Sequence, residues 1–132
     1  MVKMHVMQIN RLDHLVLTVA DIEATCRFYE QVMGMQVVVF GQGRKALRFG
    51  NQKINLHRKG HEFEPKAANA TPGSADLCFI AETPVETIVR ELQEKNIAVI
   101  EGIVGRTGAT GKIRSVYFRD PDGNLVEVSN YA

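Results

Sequence analysis

The feature that most constrains this chain is a series of strand and cap signals that occurs twice, 62 residues apart. Residues 12–20 (LDHLVLTVA) are rich in β-branched residues and read as a strand. Asp21 can cap a following helix, whose apolar positions Ile22, Cys26, Tyr29 and Met33 recur at helical spacing. Gly34 ends that helix where a left-handed residue is usual. Three short strands follow: Gln36–Phe40, Ala46–Phe49 and, after a Gly50–Asn51 turn, Lys53–His57. The series then restarts. Asp76–Ala81 reads as a strand, and Thr83-Pro84-Val85-Glu86 as a helix start, with Thr83 as the cap, Pro84 in the first helical position and Glu86 three residues after the cap. Val85, Ile88, Val89 and Leu92 form its apolar face, and Asn96 stands where Gly34 stood. Ile97–Ile100, Arg114–Arg119 and Leu125–Ser129 supply the remaining strands. The pairs His14 and Asp76, Asp21 and Thr83, and Gly34 and Asn96 are each separated by 62 residues. What repeats is the order of elements and their caps, not the residues.

This order predicts an α+β domain over residues 1–132, made of two tandem βαβββ modules, about 10–57 and 74–130. A polar linker with two prolines and two glycines, residues 58–73, joins them. Each module's helix would cover one face of its curved mixed sheet, leaving the other faces to enclose a cavity. A chain of 132 residues has room for one such core. With 16 basic and 15 acidic residues and no separate Lys/Arg cluster, it offers no phosphate-tracking surface, so nucleic acid is not an expected partner. No apolar run approaches the roughly 18 residues of a membrane span. Residues 1–11 contain no small-residue cleavage site. Cys26 and Cys78 are spaced for neither a metal nor a redox pair and read as two buried thiols. The expected location is the cytoplasm.

Strand alternation assigns the side chains. Leu15, Leu17 and Val19 form the apolar side of the first strand, which turns His14, Val16 and Thr18 toward the cavity. The same logic sends Asn55 and His57, Asp76 and Cys78, Ser115 and Tyr117, and Glu127 and Ser129 inward, together with Arg48. Two imidazoles and two carboxylates, His14, His57, Asp76 and Glu127, suit a divalent first-row metal such as Mn, Fe, Ni or Zn. An inward carboxylate between Val126 and Val128 is costly unless paired or bound to a metal. Tyr117 can orient a substrate through its hydroxyl, and Arg48 by pairing with an anionic group. The run Arg119-Asp120-Pro121-Asp122-Gly123 reads mainly as a tight turn.

The run LDHLVLTVADIEATCRFYEQVMGM resembles the opening of the vicinal-oxygen-chelate superfamily of glyoxalases, thiol transferases, extradiol dioxygenases and bleomycin-binding proteins. YFRDPDGNLVEVSN is similar to its closing hairpin. NLHRKGHEFEPKAANATPGSADLCFI and RTGATGKIRSVYFRDPDGN resemble a narrower group, the proteins like glyoxalase domain-containing protein 5. The resemblance implies the glyoxalase-like fold and metal ligands at His14, near the end of the fourth strand, at Asp76 and at Glu127. In the fourth strand the matching residue is Asn55, with His57 one pleat further on. It also implies a homodimer with sites at or near the interface. The implied activity is metal-dependent isomerisation of a small substrate with vicinal oxygens, a lyase of glyoxalase type, with Glu127 or Asp76 moving the proton. Ring-cleaving dioxygenation and metal-free ligand sequestration are the alternatives the superfamily offers.

Overall fold

Asp21 is extended (φ −141°), and its Oδ1 accepts a hydrogen bond from the Ala24 N–H, so the first strand stops and the first helix starts at one residue. In the computed structural model, which describes residues 5–132, this junction joins β1 (His14–Val19) to α1 (Ile22–Gln31). Residues 1–4, part of the segment read above for a leader, lie outside the described residues. Gly34 (φ +67°) and Asn96 (φ +58°) are both left-handed, as their places after the two helices require. β2 (Gln36–Phe40), β3 (Arg44–Phe49) and β4 (Gln52–Arg58) complete the first module. The second consists of β5 (Asp76–Ile80), α2 (Val85–Glu94), β6 (Glu101–Thr107), β7 (Lys112–Arg119) and β8 (Leu125–Tyr131). Among the described residues no helix is long and apolar enough to cross a membrane.

The sheets are ordered β1-β4-β3-β2 and β5-β8-β7-β6, so each module repeats one topology, with a parallel pair at one edge and antiparallel pairs across the rest. Two βαβββ units in an α+β arrangement are thus as the element order predicts. The helices cover the sheet sides that carry Leu17, Val19, Ile54 and Leu56 in one module and Val116, Phe118, Val126 and Val128 in the other, all buried. Each such side chain contributes about 1.5–3 kcal/mol of burial free energy. Phe28, Met33 and Phe79 pack against both clusters, so the modules join through their helix-side layers.

Two sequence expectations need correction. β6 begins at Glu101, not Ile97. In register, Asn55 pairs with Val16 as Glu127 pairs with Cys78, yet Asn55 and Glu127 are 72 residues apart rather than 62. The ten extra residues are shared among the α2–β6 connection, a longer β6–β7 hairpin and the β7–β8 turn, and Ile97 and Val99 pack on the core as connecting chain instead. The second concerns α2. Thr83 makes no side-chain cap; the Val85 N–H donates to Asn130 Oδ1 (2.8 Å), so a β8 amide serves as the cap from a distance.

The Asp120–Asn124 turn does more than reverse the chain. Asp120 is buried and accepts from the Tyr29 hydroxyl (2.7 Å), Asn124 Nδ2 (2.8 Å) and the backbone N–H groups of Asp122 and Asn124 (both 3.0 Å). Asn124 Oδ1 accepts from the Ala75 N–H at the head of β5, and Asp122 Oδ1 from the Ala20 N–H at the end of β1. Three polar side chains of one turn therefore bind α1, β1 and β5 together. Gly73 passes so close that a Cβ there would meet the Asp122 carbonyl oxygen at 2.4 Å, and its φ of +80° is one only glycine adopts freely.

Candidate metal and substrate site

The open sheet faces carry the residues that alternation assigned to them. On the first, cross-strand register aligns Gln36, Arg48, Lys53 and His14 in one row and Val38, Ala46, Asn55 and Val16 in the next. Phe40 opposite Arg44, and His57 opposite Thr18, form the third. His14 opens β1 with its side chain 44% exposed, its Nδ1 2.8 Å from Asp13 Oδ2. Asn55 is buried, and its Oδ1 has no hydrogen-bond partner among the described residues. A buried carbonyl oxygen without a donor is a costly arrangement unless something else meets it.

His57 is also buried but differently engaged. Arg44 Nη2 donates to its Nε2 (3.2 Å), and the Phe63 ring lies against it edge-on at 5.4 Å. Burial, then the adjacent guanidinium, push its pKa below the ordinary value near 6.5. A neutral imidazole already accepting from a guanidinium is poorly disposed toward a cation. His57 also sits one row beyond the position equivalent to Glu127, which belongs to Asn55. The sign of its stability effect follows. The unfolded chain takes up a proton on His57 as the pH drops below about 6.5, while the folded chain resists until a lower pH. Stability from this residue is thus complete above that value and declines as the pH falls toward the folded pKa. Urea melts between pH 7.5 and 5 are expected to show this decline, and His57→Gln to remove its share; an unchanged pH profile in the variant would contradict the assignment.

On the second sheet, Asp76 opens β5, exposed, and Glu127 is half-buried in β8 between its register partners Cys78 and Tyr117. Glu127 Oε2 accepts from Ser115 Oγ (2.6 Å), and Ser115 Oγ lies 2.6 Å from Ser129 Oγ, both serines being fully buried. One carboxylate oxygen is thereby fixed from below. Cys78 is exposed, not buried as expected; burial of part of its thiol raises the pKa against the opposing Ser129 hydrogen bond, so it is no ready nucleophile. The Tyr117 hydroxyl accepts from Arg106 Nε (3.0 Å), and its pKa is raised, chiefly by burial, so the phenol stays neutral.

A pocket of about 470 Å³ lies beside Val16, Thr18 and His57 on the first sheet, partly walled by linker residues 65–71. Another of about 370 Å³ holds Cys78, Arg106, Tyr117 and Glu127 on the second. Within the single chain, His14 and Asn55 belong to one sheet, and Asp76 and Glu127 to the other. No group of three or more His, Cys, Asp or Glu side chains able to hold an ion converges among the described residues. The residues nevertheless suit a divalent ion in type: an exposed imidazole and an orphaned amide oxygen on one face, two carboxylates on one side of a parallel strand pair on the other. Sequence reasoning missed Arg44, Arg106 and the service of Ser115 and Ser129 beneath Glu127. Alternation did put the serines on the carboxylate's face, the one signal available.

Comparison with known proteins agrees with this architecture. The family model of the Glyoxalase/Bleomycin resistance protein/Dioxygenase superfamily matches residues 11–128. The chain belongs to that superfamily. It is 62% identical to virulence protein STM3117 of Salmonella typhimurium, over 95% of this chain and 87% of that one. The crystal structure of that protein superposes with a TM-score of 0.94 at 61% identity, covering 96% of this chain and all of the other. Glyoxalase domain-containing protein RDO1 of Mycosarcoma maydis is 56% identical, over 95% of this chain and 70% of its own. A lactoylglutathione lyase from Agrobacterium tumefaciens, at 24% identity and a TM-score of 0.71 over 93% of this chain and 95% of that one, shares the fold.

Proposed function

We propose that the protein is a metal-dependent enzyme of glyoxalase type, working as a homodimer in the cytoplasm on a small substrate with adjacent oxygens. In this reading His14 and Asn55 of one chain face Asp76 and Glu127 of a second, and the four hold one divalent ion. Asn55 takes the fourth-strand place in preference to His57, because its buried Oδ1 lacks a donor while His57 already accepts from Arg44. The observation that carries the proposal is the pairing of these half-sets: each lies at equivalent strand positions of a repeated topology, each on an open face. Exposed apolar residues on those faces, Val16 and Ile80, give a second chain something to cover. Cys26 and Cys78 are both free thiols, which suits a reducing compartment.

A divalent ion bound there supplies Lewis-acid polarisation of the substrate oxygens. The chain's own residues do the rest. Glu127, anchored through Oε2 by Ser115, can take a proton from the carbon beside a polarised oxygen and return it to the neighbouring carbon. Tyr117, held by Arg106, offers a neutral hydroxyl next to that carboxylate to orient the substrate.

Dialysis against a chelator tests the proposal. Conversion of a methylglyoxal–thiol hemithioacetal to its thioester is expected to disappear with the ion, together with part of the thermal stability, and both to return when the ion is restored. Conversion and melting temperature indifferent to chelation would overturn the metal-dependent reading, and no conversion with or without the ion would leave a ligand-binding scaffold.

A further inference from the structure

The open face of the first sheet is unusually rich in cations without carboxylates. Arg48 and Lys53 stand directly opposite each other on β3 and β4, in the row that ends at His14. Like charges in that relation oppose sheet formation. Neither makes a salt bridge or a side-chain hydrogen bond among the described residues; Lys53 Nζ instead sits 3.8 Å from the centre of the Phe40 ring. Arg44 approaches the same ring at 5.0 Å and Phe63 at 4.6 Å, and its Nε is buried with no acceptor among the described residues. Three other strand cations are matched by a carboxylate, Lys45 by Glu23, Arg106 by Glu101 and Arg114 by Glu86. The acid whose charge Lys53 feels, Asp13, is already bound to His14 at the edge of the sheet. Between the cationic rows runs a floor of Val38, Ala46, Asn55 and Val16, small enough to admit a ligand.

We propose that this face takes a small oxyanion, a carboxylate or a phosphoryl group, held between Arg48 and Lys53 beside His14, with Arg44 fixed by Phe40, Phe63 and His57 as a third positive charge. This names the substrate class and rests on the metal reading above for its catalytic meaning. Asp76 and Glu127 would neutralise a divalent ion between them, which leaves these three charges for the substrate. Aromatic packing of Lys53 and Arg44 holds the cations in place without quenching them, because a ring face takes up no net charge. An arriving anion relieves the cross-strand repulsion and accepts from donors already oriented.

The cations all belong to one sheet of one chain, so anion binding needs neither metal nor partner. Chelator-treated, full-length protein titrated with inorganic phosphate, acetate and neutral acetamide, followed by amide NMR shifts, tests it. Phosphate or acetate is expected to shift residues of β1, β3 and β4 around Arg48, Lys53 and His14, and acetamide to leave them still. Whichever anion binds more tightly reports whether a phosphoryl or a carboxylate group is preferred. Arg48→Met and Lys53→Met, changes at positions outside the buried core, should each weaken binding about tenfold or more, and added salt should weaken it in the unsubstituted protein. Equal responses to acetamide and the anions, or unchanged binding in both variants, would overturn the proposal. Glu127→Ala keeps the two readings apart: it should retain anion binding while losing metal.

Discussion

Replacing Asp120 by alanine is expected to destabilise the fold by about 3–5 kcal/mol, more than any surface substitution. The carboxylate accepts from Tyr29, Asn124 and two backbone N–H groups in a buried setting, and its removal strands them all without water. Part of that loss is connectivity. The turn fastens α1 of the first module to the β7–β8 connection of the second, and through Asn124 and Asp122 to the ends of β5 and β1. Tyr29→Phe removes one donor, keeps the ring, and should cost about 1–2 kcal/mol. Equilibrium denaturation in urea measures both. A loss below about 1 kcal/mol for Asp120→Ala would mean that the modules hold together through Phe28, Met33 and Phe79 alone.

The depth of this clamp was invisible in the sequence, although the residues were not. Asp120, Asp122 and Gly123 form a recognisable turn, but a turn motif says nothing about Tyr29, 91 residues earlier, whose hydroxyl completes it. What could be read was local. Asp21 caps α1 through its own side chain, and Gly34 and Asn96 close the two helices, because these residues act on neighbours within a few positions. Thr83 shows the limit: its signature is local and sound, yet Asn130 from β8 reaches the Val85 N–H instead. β6 was misplaced for a related reason. Ile97–Ile100 has the apolar content of a strand, but an edge strand needs little, and Glu101–Thr107 pairs with β7.

Alternation along the strands assigns the faces of His14, Asn55, His57, Asp76 and Glu127 from the sequence alone, since a period of two leaves only two choices. It could not tell which of Asn55 and His57 has a free acceptor. That depends on Arg44, at the far end of a hairpin, turning back between Phe40 and Phe63. Nor could the pattern reveal that the two half-sets open on separate pockets within one chain.

Should the ion be shared between chains, ligand loss becomes separable by subunit. His14→Ala and Glu127→Ala proteins are each expected to lose metal affinity by two or more orders of magnitude, because a site of four donors is left without a principal one. His57→Ala should keep nearly all of it. In a mixed dimer of the first two variants, one site carries both defects and the other neither. Random pairing therefore returns about a quarter of the sites to full strength. The decisive measurement is Mn²⁺ titration, by EPR of the free ion, of each variant alone and of the two refolded together. The shared-site account predicts two inert proteins whose mixture binds about one ion per four chains. Tight binding by either variant alone, or a mixture as inert as its components, would contradict it.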